Sequence, residues 1–239
     1  MLYLIGLGLD EKGISLEGMD ILKRCKKIYL ENYTADFPYS TGVLKEIFDR
    51  KIIDADREFI ESFEIIEEAR KIDIALLVYG SPLTATTHIS LLDEAKKSDV
   101  KYRIIYSASV IDSVAETGLQ LYKFGKTTSM PKWQEDRNFT PDSFMEVVKE
   151  NQSIDAHTLI LIDIGLEFHD ALTQLKEASK KHNFKLNRIV LCQTLGTRNR
   201  KIFYKKVKDF EEFDSVRKPF CMIIPGKLHF LEEEFLNGL

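Results

Sequence analysis

The chain has 239 residues, 44% of them hydrophobic and 30% charged, and its 34 basic and 38 acidic side chains leave a formal charge of -4. That length can bury a substantial core as one large domain or two smaller ones, and the near balance of charge excludes a global pull toward nucleic acid or an anionic membrane. Cys25, Cys192 and Cys221 form an odd, scattered set without a C-x-x-C, which fits neither a disulfide scaffold nor a zinc site and points to a reducing cytoplasm.

Short β-rich runs alternate with helical periodicity, which predicts an α/β protein with mostly parallel sheets. The opening apolar run, Leu2 to Leu9, is the first expected strand; it is soon broken by Asp10, Glu11 and Lys12 and is too short for a signal peptide or membrane span. No targeting segment is expected, and the localisation that follows is cytoplasmic. Further strands are expected at Lys27 to Leu30, Ile74 to Tyr79, Arg103 to Tyr106, Thr158 to Asp163, Arg188 to Gln193, Lys201 to Val207 and Phe220 to Ile224. Phe59, Phe63, Ile66 and Arg70 mark one helix, and Phe168, Leu172 and Leu175 another. Thr140 followed by Pro141 predicts an N-cap and first helical position ahead of Phe144, Val147 and Val148. The stretch Thr127 to Asn138 reads as a long loop. A domain joint is expected within Ser107 to Ser113, giving an N-terminal unit 1–110 and a C-terminal unit 111–239, both of typical domain size.

Three apolar runs end on a glycine turn: Leu2 to Leu9, Ile74 to Pro82, and Phe220 to Gly226 closed by Lys227, Leu228 and His229. Glycine admits backbone angles closed to other residues and lets a backbone or ligand approach closely, so these ends predict a pocket assembled from distant parts of the chain. Gly6-Leu7-Gly8 after a strand invites a dinucleotide reading, with Glu31 near the position of a ribose-binding acid, but Glu11 stands where a third glycine is needed. In Tyr79-Gly80-Ser81-Pro82-Leu83-Thr84-Ala85-Thr86-Thr87-His88 a strand-to-helix turn with threonine caps and a ligand-facing wall of hydroxyls are equally good readings.

The five histidines show no metal spacing, Ser81 and Ser109 lack a G-x-S-x-G context, and no covalent catalyst is visible. Arg198, Arg200, Lys201, Lys205 and Lys206 read as a solvated strand face or a dock for an acidic or RNA-bearing partner, and Trp133 as a core plug or a partner anchor.

Taken together, MLYLIGLGLDEKGISLEG, YGSPLTATTH, Ser107-Ala108-Ser109-Val110 followed by ETGLQLYKFG from Glu116 to Gly125, and PGKLHFLEEEFL resemble the diphthine synthase family, nearly end to end. TGLQLYKFG and PGKLHFLEEEFL are particular to that family within the tetrapyrrole methylase-like superfamily. The resemblance implies two αβα domains with S-adenosylmethionine in the cleft between them, and a homodimer. It implies a methyltransferase that acts on the amino group of a modified histidine of translation elongation factor 2 to give diphthine, with no membrane and no direct nucleic acid contact. Carried over motif by motif, the cofactor contacts are Leu9, Ser81, Thr84, Ser109, Val110, Leu161, Leu195 and His229, and no metal is implied. His88 and His229 are the conceivable bases, and no catalytic residue is named.

Two departures stand out: family members usually carry G-D-P where this chain has Gly80-Ser81-Pro82, and A-R-x-G-S where it has Gln193-Thr194-Leu195-Gly196-Thr197. Exchanging a carboxylate for a hydroxyl removes a charge-assisted hydrogen bond of about 1.5 to 3 kcal/mol. Three readings compete with the leading one: a sister methylase acting on a tetrapyrrole or RNA, an NAD-dependent oxidoreductase built on the first glycine turn and Glu31, and a non-catalytic interaction protein suggested by Ser81.

Overall fold

The computed structural model describes residues 1–239, which divide into two compact units, Met1–Ile111 and Asp112–Leu239. The first carries strands β1 (Leu2–Gly6), β2 (Lys27–Glu31), β3 (Ile53–Ala55), β4 (Ile74–Val78) and β5 (Tyr102–Ile105). They form one parallel sheet in the order β3-β2-β4-β1-β5, with Leu2 opposite both Ile74 and Tyr102. A sheet of this kind is buried on both faces, which is why β1 and β4 read as unbroken apolar runs.

Alternate residues supply two cores. Leu2, Leu4, Leu76 and Val78 face one side, with Ile65 and Ile66 of helix α4 (Glu64–Ala69) and Leu91, Leu92 and Ala95 of α5 (Ile89–Lys97). Tyr3, Ile5, Ala75 and Leu77 face the other, with Ile21 and Leu22 of α1 (Leu16–Arg24) and Leu44 and Phe48 of α2 (Gly42–Phe48). Helix α1 carries the chain from β1 across β4 to β2, whereas α5 carries it from β4 across β1 to β5, and right-handed crossovers place such opposed connections on opposite faces. The connections leaving β1 and β4 therefore part in opposite directions, which opens a crevice at the carboxyl ends of these two neighbours.

The expected helix through Phe59 and Phe63 is broken into α3 (Arg57–Glu61) and α4, because Phe63 adopts a left-handed backbone at φ 63. The helix after the YGSP turn starts only at Ile89, because Ala85 is left-handed at φ 55.

A short helix, α6 (Val110–Ser113), spans the division between the units. The second unit holds β6 (Thr128–Met130), β7 (Thr158–Ile162), β8 (Arg188–Gln193), β9 (Lys201–Lys206) and β10 (Phe220–Ile224), in the order β6-β7-β10-β8-β9. Only β6 and β7 run parallel; the other three pairings are antiparallel, so this sheet is mixed. Phe144, Met145 and Val148 of α7 (Phe144–Ser153), Leu172 and Leu175 of α8 (Phe168–Lys181), and Phe210 cover Ile160, Leu191 and Met222 on one face.

The stretch expected as a loop from Thr127 to Asn138 contains β6, whose three residues are too few to show a period. Helix α7 begins at Phe144 with Ser143 as its N-cap, so the Thr140-Pro141 cap is displaced by three residues. Trp133 is the core plug: it packs against this core and its indole N–H donates to the Pro141 carbonyl at 2.9 Å. Lys201, Lys205 and Lys206 of the basic stretch lie in β9 at the sheet edge, where exposed lysines discourage pairing with another chain.

Candidate functional site

The carboxyl ends of β1 and β4 are locked together by glycine. Gly8 N–H donates to the Gly80 carbonyl at 3.1 Å, and Gly80 N–H returns a bond to Gly8 at 2.9 Å. Both residues are left-handed, at φ 71 and φ 73. A Cβ on Gly6 would sit 2.7 Å from the Gly80 carbonyl oxygen and 3.0 Å from Ser107 Cβ, so the ends of β1, β4 and β5 close on a position that only glycine fills. Gly80 differs: a Cβ there would meet nothing nearer than the Ala108 carbonyl at 3.8 Å and Ser109 Cα at 3.9 Å. The strand ends are thus shut at Gly6, whereas buried Gly80 would admit a Cβ at ordinary contact distance.

Five of the expected cofactor contacts lie within this unit. Leu9 follows the first turn, and its carbonyl accepts from the Tyr79 hydroxyl at 3.3 Å. Ser81 is buried and closes the second turn, its carbonyl accepting from Thr84 N–H at 3.0 Å. Ser109 is buried beside Gly80, and Val110 opens α6. His88 braces the same turn: its Nδ1 lies 3.1 Å from the Pro82 carbonyl, which also accepts from the Thr86 hydroxyl at 2.7 Å. His88 is buried, with Nδ1 engaged by that carbonyl.

Glu31 is not a ribose acid. It is 1% exposed, and its carboxylate accepts from Tyr33 N–H at 2.7 Å, Thr34 N–H at 2.6 Å and the Thr34 hydroxyl at 2.6 Å. Its oxygens anchor the loop after β2, and the sheet order, with β4 between β1 and β2, departs from the dinucleotide-binding arrangement.

In the second unit Leu161 lies in β7 opposite Cys221, toward the start of β10. Leu195 sits just beyond β8 near that same end, where Thr194 N–H donates to the Pro219 carbonyl at 2.8 Å. His229 lies past the other end of β10 as the N-cap of α9 (Phe230–Asn237), so the structure separates it from Leu161 and Leu195 along the strand. Gly226, the third glycine turn, is required by packing: a Cβ would meet the Asp155 carbonyl oxygen at 2.4 Å.

The feature that composition did not disclose is Glu232. It is fully buried and gathers Gln120 N–H at 2.9 Å, His229 N–H at 2.7 Å, the Lys123 ammonium at 2.5 Å and His157 Nε2 at 3.2 Å. His157 Nδ1 accepts from Gly226 N–H at 2.9 Å, so the ring proton resides on Nε2 and points at the carboxylate. Burial alone would push Glu232 up, but these four donors outweigh it and hold its pKa at about 2. Burial pushes His157 down, against the pull of Glu232, and the ring is neutral. Phe235 of α9 presses on Gly118, where a Cβ would meet its ring at 2.3 Å. The TGLQLYKFG and PGKLHFLEEEFL segments, far apart in the chain, are one structural device that presents His229 and shapes an open cavity of about 480 Å³ walled by Tyr122, Lys123, Ile154, Asp155, Lys227 and His229.

The family model for tetrapyrrole (corrin/porphyrin) methylases matches residues 1–211. A diphthine synthase from Methanocaldococcus jannaschii is 39% identical over 100% of this chain and 98% of its own length. The chain belongs to the diphthine synthase family. A crystal structure of a diphthine synthase superposes with a TM-score of 0.90 at 30% identity, covering 99% of this chain and 94% of that one. A diphthine methyl ester synthase from Schizosaccharomyces pombe is 44% identical over 170 residues, 70% of this chain and 59% of the relative.

All three cysteines are buried free thiols, and burial pushes Cys25 up to about 11. No helix is long and apolar enough to cross a membrane.

Proposed function

We propose that this chain is an S-adenosylmethionine-dependent methyltransferase that methylates the amino group of the modified histidine on translation elongation factor 2, giving diphthine. The observation that carries the reading is the glycine-locked crevice at the ends of β1 and β4, in a chain whose full length matches a diphthine synthase. The cradle fits such a ligand: glycine removes side chains from both turns, a Cβ at Gly80 would meet only ordinary contacts, and the buried hydroxyl-bearing residues Ser81 and Ser109 stand beside it. Leu9, Ser81, Thr84, Ser109 and Val110 are the proposed holding residues of the first unit; Leu161, Leu195 and His229 are those of the second.

When bound, the cofactor supplies an electrophilic methyl group on a sulfonium. The chain's contribution is alignment of the acceptor amine with that methyl, which removes roughly 7 to 11 kcal/mol of barrier without a covalent intermediate. Tyr79 and the Pro82 brace hold the two turns in place, and Glu232 holds His229 at the start of α9. The amine must arrive unprotonated, and its proton leaves to water. We further propose a cytoplasmic homodimer, which light scattering of the purified chain tests.

Calorimetric titration with S-adenosylhomocysteine should give saturable binding. A thermal upshift with NAD and none with S-adenosylhomocysteine would favour the oxidoreductase reading instead. The methyl ester synthase name of the Schizosaccharomyces pombe relative supports a second reading of the product, in which a carboxylate of the same side chain is also methylated. Mild alkali separates the two, because an ester methyl is hydrolysed and an ammonium methyl is not.

A further inference from the structure

The connection after β2 places three aromatic rings next to the first glycine turn. Phe37 packs edge-on against Tyr39 at 5.6 Å between ring centroids and tilted against Tyr79 at 5.1 Å. Tyr79 donates its hydroxyl to the carbonyl of Leu9, the residue before Asp10 and Glu11. Phe37 and Tyr39 pack partly buried against the core on that face of the sheet, and all three rings keep part of their surface in solvent. The loop that carries Phe37 and Tyr39 is tied down at its start by the three bonds to Glu31, so the rings are presented on a fixed support.

The first glycine turn carries Asp10 and Glu11, followed by Lys12. Asp10 and Glu11 both bear on Tyr39, and Asp10 bears on Tyr79; with burial as the larger cause, both phenols are pushed up and stay protonated. The phenol oxygen of Tyr39 is buried without a hydrogen-bond partner. Neutral aromatic rings backed by carboxylates attract a cation through the ring quadrupole. They favour one whose charge is spread over methyl groups, because such a cation gives up its weak hydration at low cost.

We propose that Phe37, Tyr39 and Tyr79, with Asp10, form a site for a methylated onium cation. Two sources share that chemistry: the methylated ammonium of the product and the sulfonium of the methyl donor. The choice of ligand rests on the methyltransferase reading, but the site itself is testable without turnover.

The test uses the full chain and two probes of equal shape, choline and its neutral analogue 3,3-dimethylbutan-1-ol, titrated by ligand-observed NMR. Choline should bind at least about tenfold more tightly than the neutral alcohol. Phe37→Leu and Tyr39→Leu should abolish that preference, Tyr39→Phe should keep it, and Asp10→Asn, which removes charge with little change in packing, should reduce it severalfold. Thermal unfolding of each variant shows that it is folded at the assay temperature. A parallel comparison of S-adenosylmethionine with S-adenosylhomocysteine identifies the source: a changed ratio in Phe37→Leu assigns the site to the sulfonium, and an unchanged ratio with lost choline preference assigns it to the methylated ammonium. Equal affinity for the two probes in the unmodified chain, or a choline preference that survives in folded Phe37→Leu and Tyr39→Leu, overturns the proposal. Neither result bears on whether the chain methylates elongation factor 2, so the two readings fail separately.

Discussion

Gly8 and Gly80 bond to each other through both backbone groups, at 3.1 and 2.9 Å, and so join two strand ends 72 residues apart in sequence into one cradle. The glycines around this joint are required for different reasons, and substitution separates them. Gly6→Ala drives a Cβ to 2.7 Å from a backbone oxygen that cannot move without breaking the joint, and should cost about 2 to 3 kcal/mol. Gly80→Ala meets only ordinary van der Waals contacts and pays for its left-handed backbone, about 1 kcal/mol. Denaturant unfolding should rank Gly6→Ala well below Gly80→Ala, whereas Gly80→Ala, which adds a methyl group to the cradle, should weaken S-adenosylhomocysteine binding more than its stability loss explains.

Glu232 makes the second unit sensitive to acid. Its pKa is near 2 in the folded chain against 4.5 unperturbed, so on acidification the unfolded chain takes up the proton first. The contribution, about 3 kcal/mol, is complete above pH 4.5 and is lost as pH falls toward 2. His157 adds to this from a higher pH: its pKa is lowered below 6.5, so stability fades as pH drops beneath that value. Glu232→Gln sets an amide N–H₂ against donors that need an acceptor, and should cost about 3 to 5 kcal/mol at neutral pH. Unfolding measured from pH 7 to pH 2 should show a slope between 4.5 and 2 that the variant lacks; parallel curves would remove Glu232 from this role.

Ser81 is buried next to Gly80 in the second glycine turn. Ser81→Asp should tighten S-adenosylhomocysteine binding by roughly ten- to a hundredfold, the worth of a charge-assisted hydrogen bond. Calorimetry that finds no change would show that this position does not face the ligand.

The carboxylate of Glu31 is consumed by Tyr33 and Thr34. Glu31→Ala should therefore lower stability by about 2 to 3 kcal/mol through unpaired backbone donors and loosen the loop that carries Phe37 and Tyr39. NAD should not shift the unfolding temperature of the unmodified chain. A Glu31-dependent NAD shift would restore the dinucleotide reading.

Where burial decides structure, residue order was readable. β1 and β4 are apolar on both faces, and β8 and β10 occupy the spans their composition suggests. Strands β3 and β6 were hidden because three residues carry no period, and the break at Phe63 because a left-handed phenylalanine has no local signature. The glycine turns announced the crevice, but their spacing could not say that Gly8 bonds to Gly80 while Gly226 yields to Asp155. Glu31 looked like a ligand-binding acid because its type and position were right; only its three local donors show that it is spent. Glu232 was lost in the run Glu232-Glu233-Glu234, where one carboxylate of three is buried and nothing in the sequence distinguishes it.

The central claim is methyl transfer to a protein side chain, and intact-protein mass spectrometry of elongation factor 2 tests it most directly. The factor carrying the unmethylated precursor histidine is incubated with the purified chain and S-adenosylmethionine. The account predicts successive methyl-sized mass gains confined to the peptide with that histidine, and none with a precursor-free factor. An unchanged mass on correctly primed factor, with chain that binds S-adenosylhomocysteine, would contradict it.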